Sequence, residues 1–206
     1  MNAIRVTRLV YLVYIAFLII ACSGTEIIEK QIDDTYTGKP VSNILIIAIT
    51  GNEHNRKSFE NKFVTHLHSI GVGAVSSEEV IPMPPDLEMG RETILETVNQ
   101  YENDAVIITH LIDKDVKDVY TRGSKGYRGF HGFYRSRYSY NHDRGYSSTN
   151  TTLRLETNLY DVKTDNLIWS GESKTWSKDT GDQIINDVVK ALIDTLYENE
   201  LIAPAP

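Results

Sequence analysis

The stretch Asn43-Ile44-Leu45-Ile46-Ile47-Ala48-Ile49 decides the fold of this chain of 206 residues. Six apolar residues follow one another in it, four of them isoleucine, and Thr50-Gly51 ends the run. A short, continuous apolar run rich in β-branched residues is typical of a strand that is buried on both faces. We therefore predict a central β-strand over residues 43–49.

The period of the apolar residues changes after this strand. Phe59, Phe63, Leu67 and Ile70 recur at spacings of four, four and three, and Gly71 follows the last of them. This period places the four side chains on one face of a helix, and a glycine just beyond the last periodic residue is a common helix end. The spacing predicts an amphipathic helix.

The remaining patterns complete one sheet and its helices. Residues 73–77 indicate a short strand, 91–101 a second helix and 104–112 a third strand. Residues 151–160 alternate strictly between two faces and are joined by a short polar turn to 167–173, which predicts an antiparallel hairpin. A broad apolar stripe then predicts a final helix. The predicted fold class is α/β (α+β), a mixed β-sheet in two or three layers with the order β-α-β-α-β-β-β-α.

Three parts of this pattern resemble one family. They are Arg56 with Phe59-Glu60, the stretch Gly73-Ala74-Val75-Ser76-Ser77, and Leu159-Tyr160-Asp161-Val162-Lys163-Thr164 followed by Leu167-Ile168-Trp169-Ser170-Gly171. They look like parts of a group of bacterial envelope lipoproteins, and the resemblance covers residues 42–201. It implies a domain similar to the N-terminal domain of the translocation protein TolB, or to those of curli-assembly and penicillin-binding-protein-activator lipoproteins. It implies no activity and brings no catalytic motif.

The start of the chain has the layout of a secretory signal. Arg5 and Arg8 precede 13 residues without a charge, from Leu9 to Ala21. A basic region followed by an apolar run is typical of a signal peptide, and a spanning helix would need about 20 residues. Ile19-Ile20-Ala21-Cys22 resembles the bacterial lipobox, which implies cleavage before Cys22 and acylation of that residue. A buried free thiol beside an ordinary signal peptide is the alternative.

We therefore predict a lipoprotein of the bacterial cell envelope. Ser23 stands where an aspartate would resemble an inner-membrane retention signal, so the resemblance favours an outer-membrane anchor that faces the periplasm. We divide the chain into a signal peptide (1–21), a flexible tether (22–41) that has room for a short edge strand, and a single α/β domain (42–203). Membrane lipid, through acylated Cys22, is the first predicted partner.

Charge and cysteine content exclude several classes. The formal charge is −7, and because residues 1–21 carry +2, the mature chain carries −9. A surface this acidic argues against general nucleic-acid binding. A single cysteine cannot form an internal disulfide, so the fold depends on its core. We predict no cofactor, and the oligomeric state stays open.

A loop insertion at 121–148 differs from the rest of the domain. Residues 121–146 contain six basic residues, one aspartate, five glycines and seven aromatics, and carry +5. Aromatic rings stack on sugars, and arginine binds phosphate and carboxylate, so we expect an anionic glycan, a lipid headgroup or an acidic envelope protein as partner. The alternative is a disordered insertion whose arginines lie on the domain's acidic surface. The candidate contact residues are Arg122, Arg128, Tyr134, Arg135, Arg137, Tyr138 and Tyr140.

The sequence offers little for catalysis or metal binding. It has none of the spacings of serine hydrolases, zinc proteases, phosphate loops or dinucleotide folds. His66 and His68 are two apart on a helix, so they point apart and cannot chelate one ion. His131, His142 and Asp143 have no metal-ligand spacing. We predict no catalytic residue and no metal site.

These observations predict a non-enzymatic binding or assembly component of the cell envelope. The alternative is a structural subunit of an oligomeric envelope or secretion complex, with the apolar hairpin and the final helix as its interface. A third hypothesis, an unrecognised hydrolase, would require His131 or His142.

Overall fold

A computed structural model describes residues 24–81, 89–112, 152–176 and 181–204. The predicted signal peptide, Cys22 and the whole of the 121–148 segment lie outside these ranges. Within them, no helix is both long enough and apolar enough to cross a membrane.

Ten elements follow one another along the described ranges. The strands are β1 (Thr25–Ile32), β2 (Asn43–Ile49), β3 (Gly73–Ser76), β4 (Ala105–Ile112), β5 (Thr152–Asp161) and β6 (Leu167–Trp176). The helices are α1 (Glu53–Ser69), α2 (Ser77–Val80), α3 (Arg91–Gln100) and α4 (Gly181–Glu198). The predicted order is therefore present, with β1 and α2 added to it.

The six strands form one mixed sheet in the order β1-β6-β5-β4-β2-β3. β2 lies between β3 and β4 and is parallel to both. β5 is antiparallel to β4, β6 to β5, and β1 to β6. The predicted α/β fold with a mixed sheet is confirmed.

Two apolar clusters lie on opposite faces of the sheet, which makes three layers. On one face, α1 and α4 pack on alternate residues of the strands, such as Ile44 and Leu159. On the other face, α3 packs on the intervening residues, such as Leu45 and Val106. Both faces of β2 are covered, which is why its sequence is continuously apolar. The predicted inward positions Phe59, Phe63 and Leu67 of α1 are all buried.

The segment predicted as a tether with room for a short edge strand, residues 22–41, does contain an edge strand. Residues Thr25–Ile32 form β1, which pairs with β6 along its length and has a bulge between Ile27 and Glu29. Val41 is then held to Ile202 by a parallel bridge. A charged strand with a bulge is typical of a sheet edge, where it discourages pairing with other chains.

Most apolar residues of the hairpin and of the final helix lie inside the protein. Ile168 and Trp169 of β6 are at most 1% exposed, and the apolar stripe of α4, including Val189 and Leu192, is buried against the sheet. These residues belong to the predicted interface of the oligomeric alternative. Most of them pack in the core of their own chain, whereas Tyr197 of α4 is 55% exposed.

Candidate binding face at the carboxyl edge of the sheet

The parallel strands β2, β3 and β4 all end at one edge of the sheet, the carboxyl edge. The chain leaves β2 through α1 to reach β3 on one side, and returns through α2 and α3 to β4 on the other. The two crossovers lie on opposite faces. In open α/β sheets, ligands bind outside the carboxyl ends of the strands at the point where the strand order reverses. Here that point lies between the ends of β2 and β4, at Ile49 and Ile112.

A charged face of the sheet begins at this carboxyl edge and crosses β4, β5, β6 and β1. We define it by two rows of residues that are opposite one another in the sheet. The inner row consists of one histidine followed by three glutamates. In the outer row, the residues on β5 and β6 are basic. The inner row contains His110, Glu156, Glu172 and Glu29, and the outer row contains Ile112, Arg154, Lys174 and Glu26.

One ion pair joins the two rows and another lies within the inner row. Arg154 on β5 donates to Oε1 of Glu172 on β6. His110 Nε2 lies 3.6 Å from Glu156 Oε2, so the two form an ion pair when the imidazole is protonated. Without such cations, Glu156 and Glu172 would repel each other, because like charges directly opposite in a sheet are destabilising. The pairing holds four titratable side chains in fixed positions on one face.

The charged face is more enclosed than a solvated sheet surface. His110 is 2% exposed, Glu172 17% and Glu156 19%, whereas Arg154 is 38% exposed. Asn158, two residues after Glu156 on β5, is also buried and donates to Glu156 Oε1 at 3.3 Å. Arg154 is therefore the most exposed of the four side chains in these ion pairs.

A buried carboxylate supports the same edge from the other face. Glu60 of α1 is 0% exposed and accepts from the backbone N–H of Ala48 (2.9 Å) and of Glu78 (2.7 Å). Arg56 Nε (3.2 Å) and the Ser77 hydroxyl (2.8 Å) also donate to it. Burial raises the pKa of Glu60, while Arg56 and the hydrogen bonds act in the opposite direction. This network connects β2, α1 and α2 near the carboxyl edge of the sheet.

Comparisons with known proteins identify no family. No family model matches the chain, and no curated protein matches it. Among solved structures, a dodecamer of PelC from Paraburkholderia phytofirmans is similar at 10% identity and a TM-score of 0.46. A dodecamer of a variant of that protein is similar at 11% identity and the same TM-score. Each match covers 86% of this chain and 99% of the other. Similarity this weak transfers no function.

The predicted contact residues of the 121–148 segment lie outside the described ranges, as do His131, His142 and Asp143. The structure does show where the two strands that flank the segment end. β4 and β5 flank it, and their ends are paired, with Ile112 opposite Arg154. The connection from 113 to 151 therefore leaves and re-enters the fold at the carboxyl edge, on the outer row of the charged face.

The histidines of α1 contact separate partners. His66 Nε2 lies 3.0 Å from Asn186 Oδ1 of α4, and His68 Nε2 lies 3.0 Å from the Ala74 carbonyl of β3. The prediction that they point apart agrees with these contacts. Across the described residues, no group of three or more His, Cys, Asp or Glu side chains is placed to hold a metal ion.

Sequence reasoning placed part of the charged face and missed its centre. The alternation of β5 predicts that Arg154, Glu156 and Asn158 share one face, and they do. It does not predict that His110, near the end of an apolar strand, and Glu172, on the next strand, lie beside them. A polar residue that interrupts an apolar strand was the available signal.

Proposed function

We propose that this protein is a lipid-anchored, non-enzymatic binding component of the bacterial cell envelope, attached through acylated Cys22. Its contact surface is the carboxyl edge of the sheet together with the basic and aromatic residues 121–148. The sequence supports the anchor. The position of the connection between β4 and β5 supports the binding role, and this single observation carries it.

The position and the charge of the connection both support binding at this edge. The edge at which the connection leaves is the one where open α/β sheets bind ligands. The connection also concentrates the basic charge of the chain, since residues 121–146 carry +5 while the rest of the mature chain carries −14. An anionic partner is therefore attracted to this edge and repelled elsewhere.

The anchor is tested on the expressed full-length chain beside Cys22→Ala. We expect the intact mass of the wild type to show removal of residues 1–21 and acylation, and the protein to fractionate with membranes, because two or more acyl chains hold a protein at a bilayer stably. The variant should lack the acyl mass and leave the membrane fraction. An unmodified wild type in the soluble fraction would overturn the anchor.

The binding role is tested with soluble protein that carries Cys22→Ala and begins at residue 22. The probes are alginate, a carboxylate polysaccharide, and phosphatidylglycerol vesicles, which separate a glycan from a headgroup. Changing Arg128, Arg135 and Arg137 to glutamine should weaken binding by about tenfold or more for each arginine that contacts an anionic group.

A matched variant controls for net charge. Lys39, Lys163 and Lys190 are exposed and lie elsewhere on the domain, and changing all three to glutamine alters the total charge by the same amount. Binding should survive this change. If the two triple variants bind equally well, or if neither the parent protein nor the variants bind either probe, the proposed contact surface is wrong.

A further inference from the structure

We infer that the carboxyl edge of the sheet faces the bilayer, so that the end of β4, the start of β5, the end of β6 and the start of β1 lie toward phospholipid headgroups. The inference rests on the proposed anchor at Cys22 and goes beyond it, because an anchor alone does not orient a domain. It follows from where the described chain begins and from which strand ends share one edge.

The first step is the distance from the anchor to the fold. β1 begins at Thr25, and its register with β6 starts there, with Thr25 opposite Thr175. The two hydroxyls are also 2.8 Å apart, which holds the first residue of the strand in place. Three Cα–Cα steps separate Cys22 from Thr25, and an extended chain spans at most about 3.6 Å for each. The start of β1 therefore lies within about 11 Å of the lipidated residue.

The second step is the identity of the edge on which β1 begins. Glu26 is opposite Lys174, Lys174 is opposite Arg154, and Arg154 is opposite Ile112. One line across the sheet therefore joins the start of β1, the end of β6, the start of β5 and the end of β4. Anchoring β1 at this line brings the whole carboxyl edge toward the membrane.

The third step is charge. Anionic headgroups repel an acidic domain and attract a basic segment, by about 1 kcal/mol for each Lys or Arg near the surface. The +5 segment leaves the fold at Ile112 and returns at Thr152, on the anchored edge, and the acidic remainder carries −14. Charge and anchor therefore favour the same orientation.

Helix α1 provides an internal ruler for the test. It begins at the carboxyl edge, directly after β2, and runs back to the opposite end of the sheet. His54 and Ser69 are both exposed, and they are separated along the helix by about 22 Å at 1.5 Å per residue. Acylation consumes the thiol of the only native cysteine. A cysteine introduced at either position is therefore the only free thiol in the lipoprotein.

The experiment uses lipidated full-length protein that carries His54→Cys or Ser69→Cys with an environment-insensitive fluorophore on the new thiol. The protein is reconstituted in phosphatidylcholine vesicles containing phosphatidylglycerol and a lipid with a nitroxide on its headgroup. We expect the label at 54 to lose most of its fluorescence to the quencher and the label at 69 to lose little. Inserting about 15 Gly and Ser residues between Gly24 and Thr25 should reduce the difference, because a flexible linker lifts the orientation imposed by the anchor.

The outcomes separate the two proposals. If mass spectrometry shows no acyl group on Cys22, the proposed anchor fails. If Cys22 is acylated but both labels are quenched equally, or the label at 69 is quenched more, the anchor stands and the orientation is wrong. In vesicles of phosphatidylcholine without phosphatidylglycerol, which offer no anionic headgroup to the basic segment, quenching at 54 that persists unchanged with the long spacer would also overturn the inference, since the short connection to β1 would then not be its cause.

Discussion

Replacing Glu60 with alanine should lower the free energy of unfolding by about 3–5 kcal/mol, because it leaves the Arg56 guanidinium buried without its main partner. Arg56 is 2% exposed, and its Nε donates to Glu60 Oε1. The change also removes the acceptor for the Ala48 and Glu78 amides. Urea unfolding followed by circular dichroism measures the loss. Glutamine should not restore the stability, because Oε1 accepts from the Ala48 amide and Oε2 from the Glu78 amide, so the NH₂ of glutamine would face a backbone N–H at either position.

Glu53→Ala is the matched control. Glu53 lies about two turns before Glu60 on the same helix and contacts the same arginine, with its carboxylate 3.6 Å from Arg56 Nη1, but its side chain is 61% exposed. Exposed ion pairs contribute about 1 kcal/mol or less. If Glu53→Ala and Glu60→Ala destabilise the protein equally, burial is not what makes the Glu60 network important.

Trp169→Ala should cost about 3–5 kcal/mol, since it removes a large buried aromatic side chain from the core between the sheet and α4. Trp169 is 0% exposed and lies in the same apolar cluster as Val189 and Leu192. Thermal and urea unfolding measure the loss. Tyr197→Ala is the control, because Tyr197 is also aromatic but is 55% exposed, and a surface change of this kind should stay within about 0.5 kcal/mol.

Gly171 tests the same packing from the opposite side. A Cβ at this position would overlap the six-membered ring of Trp169, which lies flat against the glycine. Gly171→Ala should therefore destabilise the protein by about 1–3 kcal/mol through overpacking. In a Trp169→Leu background the same change should cost much less, because neighbouring residues are not additive. An equal cost in both backgrounds would show that the ring does not set the requirement for glycine.

Much of the fold could be predicted because the deciding patterns are local. The apolar run of β2, the period of α1 and the strict alternation of β5 each reflect which faces of one element are buried, and such burial repeats along the chain with the period of the element. β1 was predicted as part of a tether with room for a short edge strand, because its own sequence lacks such a period. An edge strand is largely solvated, so TEIIEKQI carries mixed charges instead of a repeated apolar face.

The sequence by itself determined the type and order of most elements and the alternating polar face of β5, and it predicted a lipobox around Cys22. Only the tertiary structure decided that β1 closes the far side of the sheet, that His110, Glu156 and Glu172 lie in one row, and that the start of β1 shares an edge with both ends of the 113–151 connection. The physical reason is that strand pairing joins residues far apart in sequence. Its register depends on the packing of the whole core and on pairing with neighbouring strands, and neither leaves a periodic trace in any single segment.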